Sequence, residues 1–238
     1  MRLAAGLRLG DLRKTAAAPS SLLTGLVSYW KLNEESGERA DSVVASGNNL
    51  SDNNTATYDT GVIGNAAKFT AGNHEWLNKA SLANPASFSL SMWFKVPASP
   101  SPPEGIFTIG NGNYNTGSKL CVYLGAGGRI NIEAWSDGSD SVADNPLIAA
   151  GWHFIVGTYD GATNKAGYSI DGAALTEGSA ETSPITVDRL LIGTINTGGF
   201  WYNDLIDEAG LWSRVLEADE ITALYNSGAG VTYPFLGT

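Results

Sequence analysis

From Leu26 onward, apolar and polar residues alternate with the period of two that sends successive side chains to opposite faces of a strand. Phe88, Leu90, Met92, Phe94 and Val96 are predicted to face a core, with Ser89, Ser91, Trp93 and Lys95 pointing away from it. Ile130, Ile132 and Ala134 repeat the pattern against Arg129, Asn131, Glu133 and Trp135. The GAGG at 125–128 joins this strand to KLCVYL as a hairpin, because glycine supplies the backbone angles of a tight turn. A second hairpin is expected from WHFIVGTY through Asp160 and Gly161 to AGYSI, followed by a turn at Asp171 and Gly172. One short helix is predicted near the end: Ile221, Leu224 and Tyr225 stand at i, i+3 and i+4, and Gly228 is placed to stop it. Many short strands with no alternation of strand and helix predict an all-β fold, two antiparallel sheets packed as a sandwich.

Length and charge refine this picture. The 238 residues suit one large sandwich, residues 25–238, behind an arm of residues 1–24. The joint is the stretch TAAAPSSLLTG, and the arm carries Arg2, Arg8, Arg13 and Lys14, with Leu3 and Leu7 on one face of a short helix. These residues are the candidate anchor. The net charge is -10, and beyond residue 14 the chain holds 10 basic against 23 acidic side chains. Such a body repels phosphate backbones, which excludes nucleic acid as its partner. No stretch approaches the roughly 18 apolar residues of a membrane span. Arg8 interrupts the N-terminal apolar run, so no ordinary secretory signal is expected. Cys121 is the only cysteine, and an internal disulfide is therefore impossible.

Four segments in order resemble the laminin-G-like branch of the concanavalin-A-like lectin and glucanase superfamily, of the kind found in phage and bacterial surface proteins. They are LVSYWKLNEESGERADS, SFSLSMWFKV, GWHFIVGTYDGATNKAGYSIDGA and LIDEAGLWSRVLEADEITALYNSG. The resemblance implies a curved jelly roll with one short C-terminal helix. It also implies a structural calcium ion between the first loop and the last strand, where Asp41 and Asp207 match the pattern and Asn48 could add an oxygen. The alternative is that Asp41 caps a turn and Asp207 bonds local amides. One departure is Glu217, which stands where the family often has Ser or Asp to begin the helix, so a less sharp start is expected.

The glucan-cleaving members of the superfamily place carboxylates two and four residues apart on one strand face, whereas GRINIEAWSDG offers Glu133 alone. Glu34, Glu35 and Glu38 cluster on a loop, and His74 and His153 have no zinc-ligand spacing. No catalytic residue is therefore assigned.

Glycan binding fits better, because sugar rings stack on aromatic faces while their hydroxyls need fixed polar partners. The candidates are Trp93, Asn131, Glu133 and Trp135 on the outward face of one sheet, Trp201 and Tyr202 in NTGGFWYND, and Tyr114 in GNGNYNTG. Each aromatic is also readable as filling of the sandwich. The expected function is a non-catalytic carbohydrate-binding or adhesion module, homo-oligomeric and displayed at a virion surface through contacts of its arm with other particle proteins. The host-surface polysaccharide would be its ligand. A secreted or cell-surface glycan-binding domain, or a glycoside hydrolase, is the alternative.

Overall fold

The computed structural model describes residues 20–100, 103–111, 117–136, 139–144 and 146–235. Tyr114 and the anchor residues Arg2, Leu3, Leu7, Arg8, Arg13 and Lys14 lie outside them. In chain order the strands are β1 (Leu26–Trp30), β2 (Ser51–Asn53), β3 (Thr57–Thr60), β4 (Asn65–Lys68) and β5 (Trp76–Ala80). There follow β6 (Phe88–Val96), β7 (Glu104–Gly110), β8 (Lys119–Gly125), β9 (Arg129–Ser136) and β10 (Ser139–Asp144). The last are β11 (Gly151–Asp160), β12 (Lys165–Ile170), β13 (Thr176–Ala180), β14 (Arg189–Ile192) and β15 (Leu205–Trp212), before helix α1 (Ala218–Tyr225).

Two antiparallel sheets result. One has the order β13-β12-β11-β6-β15-β4-β3, with β1 also paired to β15, and the other β10-β9-β8-β7-β14-β5-β2. The predicted alternation holds where it builds the core: Phe88, Leu90, Met92, Phe94 and Val96 meet Leu120, Val122, Leu124, Ile130, Ile132 and Ala134 from the facing sheet. The β8–β9 hairpin turns through 126–128, where Gly127 has φ 74°, and β12 ends at Asp171 and Gly172, both at positive φ. Burial of these aliphatic faces is the main source of stability in a chain without cross-links.

The outer face of the eight-stranded sheet departs from expectation. Trp93, Phe154, Val156, Tyr29 and Trp212 form a second apolar cluster there with Leu22, Leu216, Ile221, Leu224 and Phe235. Residues after β15 therefore return across the sheet and bury side chains that the alternation alone assigns to solvent. Ser89, for example, is buried, donating to Arg214 O (2.9 Å) and accepting from Leu216 N (2.9 Å).

Residues 20–25 belong to this packed body. Leu22 is buried, and its carbonyl accepts the Trp212 indole N–H at 2.8 Å. Arg214 donates to Ser21 O (2.9 Å) and Thr24 O (2.8 Å) while gripping both carboxylate oxygens of Glu220 (2.6 and 2.7 Å). The sandwich thus reaches upstream of residue 25, because Leu22 needs apolar cover. Glu220 also accepts from Glu217 N at 2.9 Å, which fastens the start of α1 despite the weak cap at 217. The helix stops at Asn226, in the left-handed region at φ 47°, two residues before the expected Gly228, since Asn tolerates that conformation.

Burial alone would raise the Glu220 carboxyl, but bonds from Arg214, Ser21 and the Glu217 amide pull it down to about 2. A depressed folded value means stability that is present above the ordinary glutamate range and is lost as pH falls through it. Glu220→Gln is therefore expected to cost about 1–3 kcal/mol at pH 7, the size of a charge-assisted bond. Denaturant curves at pH 7 and pH 3 check this, since the difference from the parent should shrink at the lower pH.

Candidate functional site

The α-helix packs on the eight-stranded sheet, and the outer face of the seven-stranded sheet is crossed instead by the loop 193–202. Gly193 N donates to Ile106 O (2.8 Å), Gly105 N to Phe200 O (2.7 Å), Thr108 Oγ1 to Ile195 O (3.2 Å) and Tyr202 N to Gly193 O (2.9 Å). A Cβ at Gly105 would come within 2.3 Å of Ile195 N, so only glycine allows the loop to lie this close to β7. The loop is pinned, and its consecutive residues Phe200 and Trp201 reach opposite ways. Phe200 meets the edge of Tyr123 on β8 at 6.3 Å, whereas Trp201 turns to β5.

There Trp201 stacks on His74 (centroids 5.0 Å, 24° between planes) and on Trp76 (5.3 Å, 28°). His74 is exposed, and Trp76 and Trp201 are half-buried. Trp76 points outward because Leu77 beside it enters the core. His74 ends a short turn at φ 56°, its N–H bonded to Ala71 O, and this bend brings its ring over Trp201. Amides surround the rings: Asn53 Nδ2 donates to Asn78 Oδ1 (2.6 Å) and Trp76 O (3.3 Å), and Asn54 Nδ2 to His74 O (2.7 Å). Asn73 Nδ2 donates to Glu75 Oε1 at 2.8 Å. Indole faces fringed by oriented amides can hold the apolar face and the hydroxyls of a sugar together.

Across the loop, Asn131, Glu133 and Trp135 share the outward face of β9 as predicted, all half-buried. The Tyr123 hydroxyl donates to Glu133 Oε1, and the Lys119 ammonium sits 5.2 Å from the centre of the Trp135 ring. Two expected members belong elsewhere. Tyr202 is fully buried, donating its hydroxyl to Lys95 O (2.5 Å) and packing on Phe69, because the residue after an outward Trp201 turns inward. Trp93 lies beneath α1, stacked on Tyr225 at 5.6 Å and against Phe154 at 5.2 Å. His74, Trp76 and Tyr123 were not singled out from sequence. The alternation of Trp76 with Leu77, and of Tyr123 with Val122 and Leu124, carried a signal for the latter two.

Each of the calcium candidates is engaged by its own protein partners. Asp41 Oδ1 accepts from Tyr29 N (3.0 Å) and Val43 N (2.9 Å), and its Oδ2 from the Ser46 hydroxyl. Asn48 O accepts the Trp30 indole N–H (2.7 Å), and the Asn48 amide donates to Ser28 Oγ (2.8 Å). Asp207 Oδ2 accepts from Val62 N (2.8 Å) and Ile63 N (3.0 Å), leaving Oδ1 buried without a hydrogen bond. Beside it Glu208, in the left-handed region at φ 50° within a bulge of β15 against β6, is buried with the Tyr29 and Thr232 hydroxyls close to its carboxylate. Burial pushes both carboxyls up to about 7. Among the described residues no three His, Cys, Asp or Glu side chains gather as metal ligands.

The sequence profile of the concanavalin A-like lectin/glucanases superfamily, in its laminin-G form, matches residues 69–222, and the chain belongs to this family. No curated protein matches the chain. Among solved structures it is similar to domain 4 of AbnA, an extracellular arabinanase from Geobacillus stearothermophilus, seen in complex with arabinotriose. The identity is 16%, the TM-score 0.64, and the match covers 83% of this chain and 96% of that domain. It is also similar to Trypanosoma rangeli sialidase in complex with sialic acid, at 14% identity and TM-score 0.65, covering 90% of this chain and 34% of the sialidase. A third is the binding domain of Paraclostridial Mosquitocidal Protein 1, at 14% identity and TM-score 0.64, covering 86% of this chain and 52% of that one. The chain thus spans about a third of the sialidase, and at these identities the likeness concerns the fold.

Proposed function

We propose that this chain is a non-catalytic carbohydrate-binding module whose recognition site is the aromatic cluster of Trp201, Trp76 and His74. The observation that carries this reading is the stacked trio on the outer face of the seven-stranded sheet, fringed by Asn amides. Its relatives support it: the arabinanase domain is in complex with arabinotriose. The acidic body favours neutral glycans over anionic ones, which it repels within a Debye length. Absence of catalysis is read from the carboxylates of β8 and β9, where Glu133 stands alone while glycosidases use two. A hydrolase would release sugars from β-glucan and lose that activity on Glu133→Gln.

The reading extends to display on a larger assembly, such as a phage particle, in several copies that add avidity. Residues 20–25 are bound on the outer face of the eight-stranded sheet, and the aromatic cluster lies on the opposite outer face. A chain tethered through its first residues would therefore present the cluster outward.

Trp201→Ala tests the site. Affinity for the glycan selected on an array should fall about tenfold to a hundredfold, as for a stacking anchor, with the melting temperature nearly unchanged. Unaltered affinity would remove the cluster from recognition.

A further inference from the structure

The cluster on β5 leaves unexplained the polar aromatic group on β8 and β9, which lies on the same outer face beyond the loop 193–202. Both groups are held by that one loop, through Phe200 on Tyr123 and Trp201 on Trp76. Tyr123 and Trp76 sit on strands separated by β7 and β14, three ladder steps, or about 14 Å at the usual strand spacing. One sugar ring does not bridge that distance.

We propose that the two groups are successive subsites for one extended oligosaccharide that runs across the strands and passes over the loop. This rests on the glycan-binding reading above. The two sides differ in chemistry: the β5 side offers stacking faces, and the β9 side offers the Glu133 carboxylate, the Asn131 amide and Trp135. Both are built on strands rather than on free loops, so their separation is set by the sheet.

The loop itself supplies an independent observation. Where it turns, it carries Gly198 and Gly199, and a Cβ at Gly199 would meet nothing within 4 Å. Gly199 also lies outside the positive-φ region, so neither packing nor backbone conformation demands glycine there. A side chain there would project into open space, and in the proposed arrangement glycine keeps the crossing low. A ligand can then pass over the loop.

The experiment uses the whole chain with arabino-oligosaccharides and cello-oligosaccharides graded from one to six residues, titrated by calorimetry against the parent, Asn131→Ala, Glu133→Gln and Gly199→Leu. Melting temperatures confirm that each variant is folded. In the parent, affinity for the bound series should climb with length until the span is filled. Asn131→Ala and Glu133→Gln should weaken the long members about tenfold and leave the short ones unchanged. Gly199→Leu should flatten the length dependence without loss of short-chain binding. Equal affinity at all lengths in the parent, or full hexamer affinity in Gly199→Leu, would overturn the two-subsite arrangement while leaving the Trp201 site intact. If none of these oligosaccharides binds and the glycan array is blank as well, the glycan-binding reading falls together with the two-subsite arrangement.

Discussion

Trp93→Ala is expected to lower the stability of this chain by about 3–5 kcal/mol, the cost of emptying a buried aromatic site. Trp93 is 2% exposed and packed between Phe154 and Tyr225 beneath α1. A Cβ at Gly230 would approach its indole nitrogen to 3.1 Å, so the segment after α1 closes on the same ring. Removing the indole takes away the ring on which both Tyr225 and Phe154 pack. Urea denaturation with a global fit measures the loss. A change below about 1 kcal/mol would mean that α1 does not seal this face. The contrast with Trp201→Ala separates the two tryptophans, because one variant should weaken the fold and the other only recognition.

The second large effect concerns pH. In the presence of a chelator, the chain is expected to be more stable near pH 4.5 than near pH 8. Asp207 and Glu208 titrate near 7 in the folded chain because burial penalises their charged forms. Between about 4 and 7 the folded state holds protons that the unfolded state has released, so stability falls as pH rises through that window. At full effect the loss is on the order of 3 kcal/mol or more for the pair. Glu208→Gln should remove a large part of the slope, and so should Asp207→Asn, which keeps an acceptor for Val62 N and Ile63 N. Chemical denaturation at half-unit pH steps reads it out, and a flat profile would refute the burial argument. Repeating the series with calcium tests the ion expected at Asp207, Asp41 and Asn48: a bound cation should restore stability above pH 7. An unchanged high-pH stability would argue against a cation at this place.

The legibility of the site divides along the same line as that of the fold. The outward face of β9 could be read from alternation, and Asn131, Glu133 and Trp135 do share it. Trp201 stands in the loop where it was expected, but its partners His74 and Trp76 lie more than a hundred residues earlier in the chain. Tyr202 follows Trp201 directly and yet fills the core, because consecutive residues of a chain lying on a sheet turn opposite ways. Asp41 accepts from the Tyr29 and Val43 amides and from the Ser46 hydroxyl, bonds that join its turn to β1.

Period-two alternation and turn residues determined the class of fold, the core face of β6 and the β8–β9 hairpin, since those depend on burial and backbone angles within a few residues. What covers each outer face was decided only by the tertiary structure. The segment after β15 folds back and buries Trp93, while a glycine-tipped loop crosses the other sheet and leaves Trp201 accessible. Alternation says on which side of a strand a residue lies; solvent exposure depends on what packs against that side.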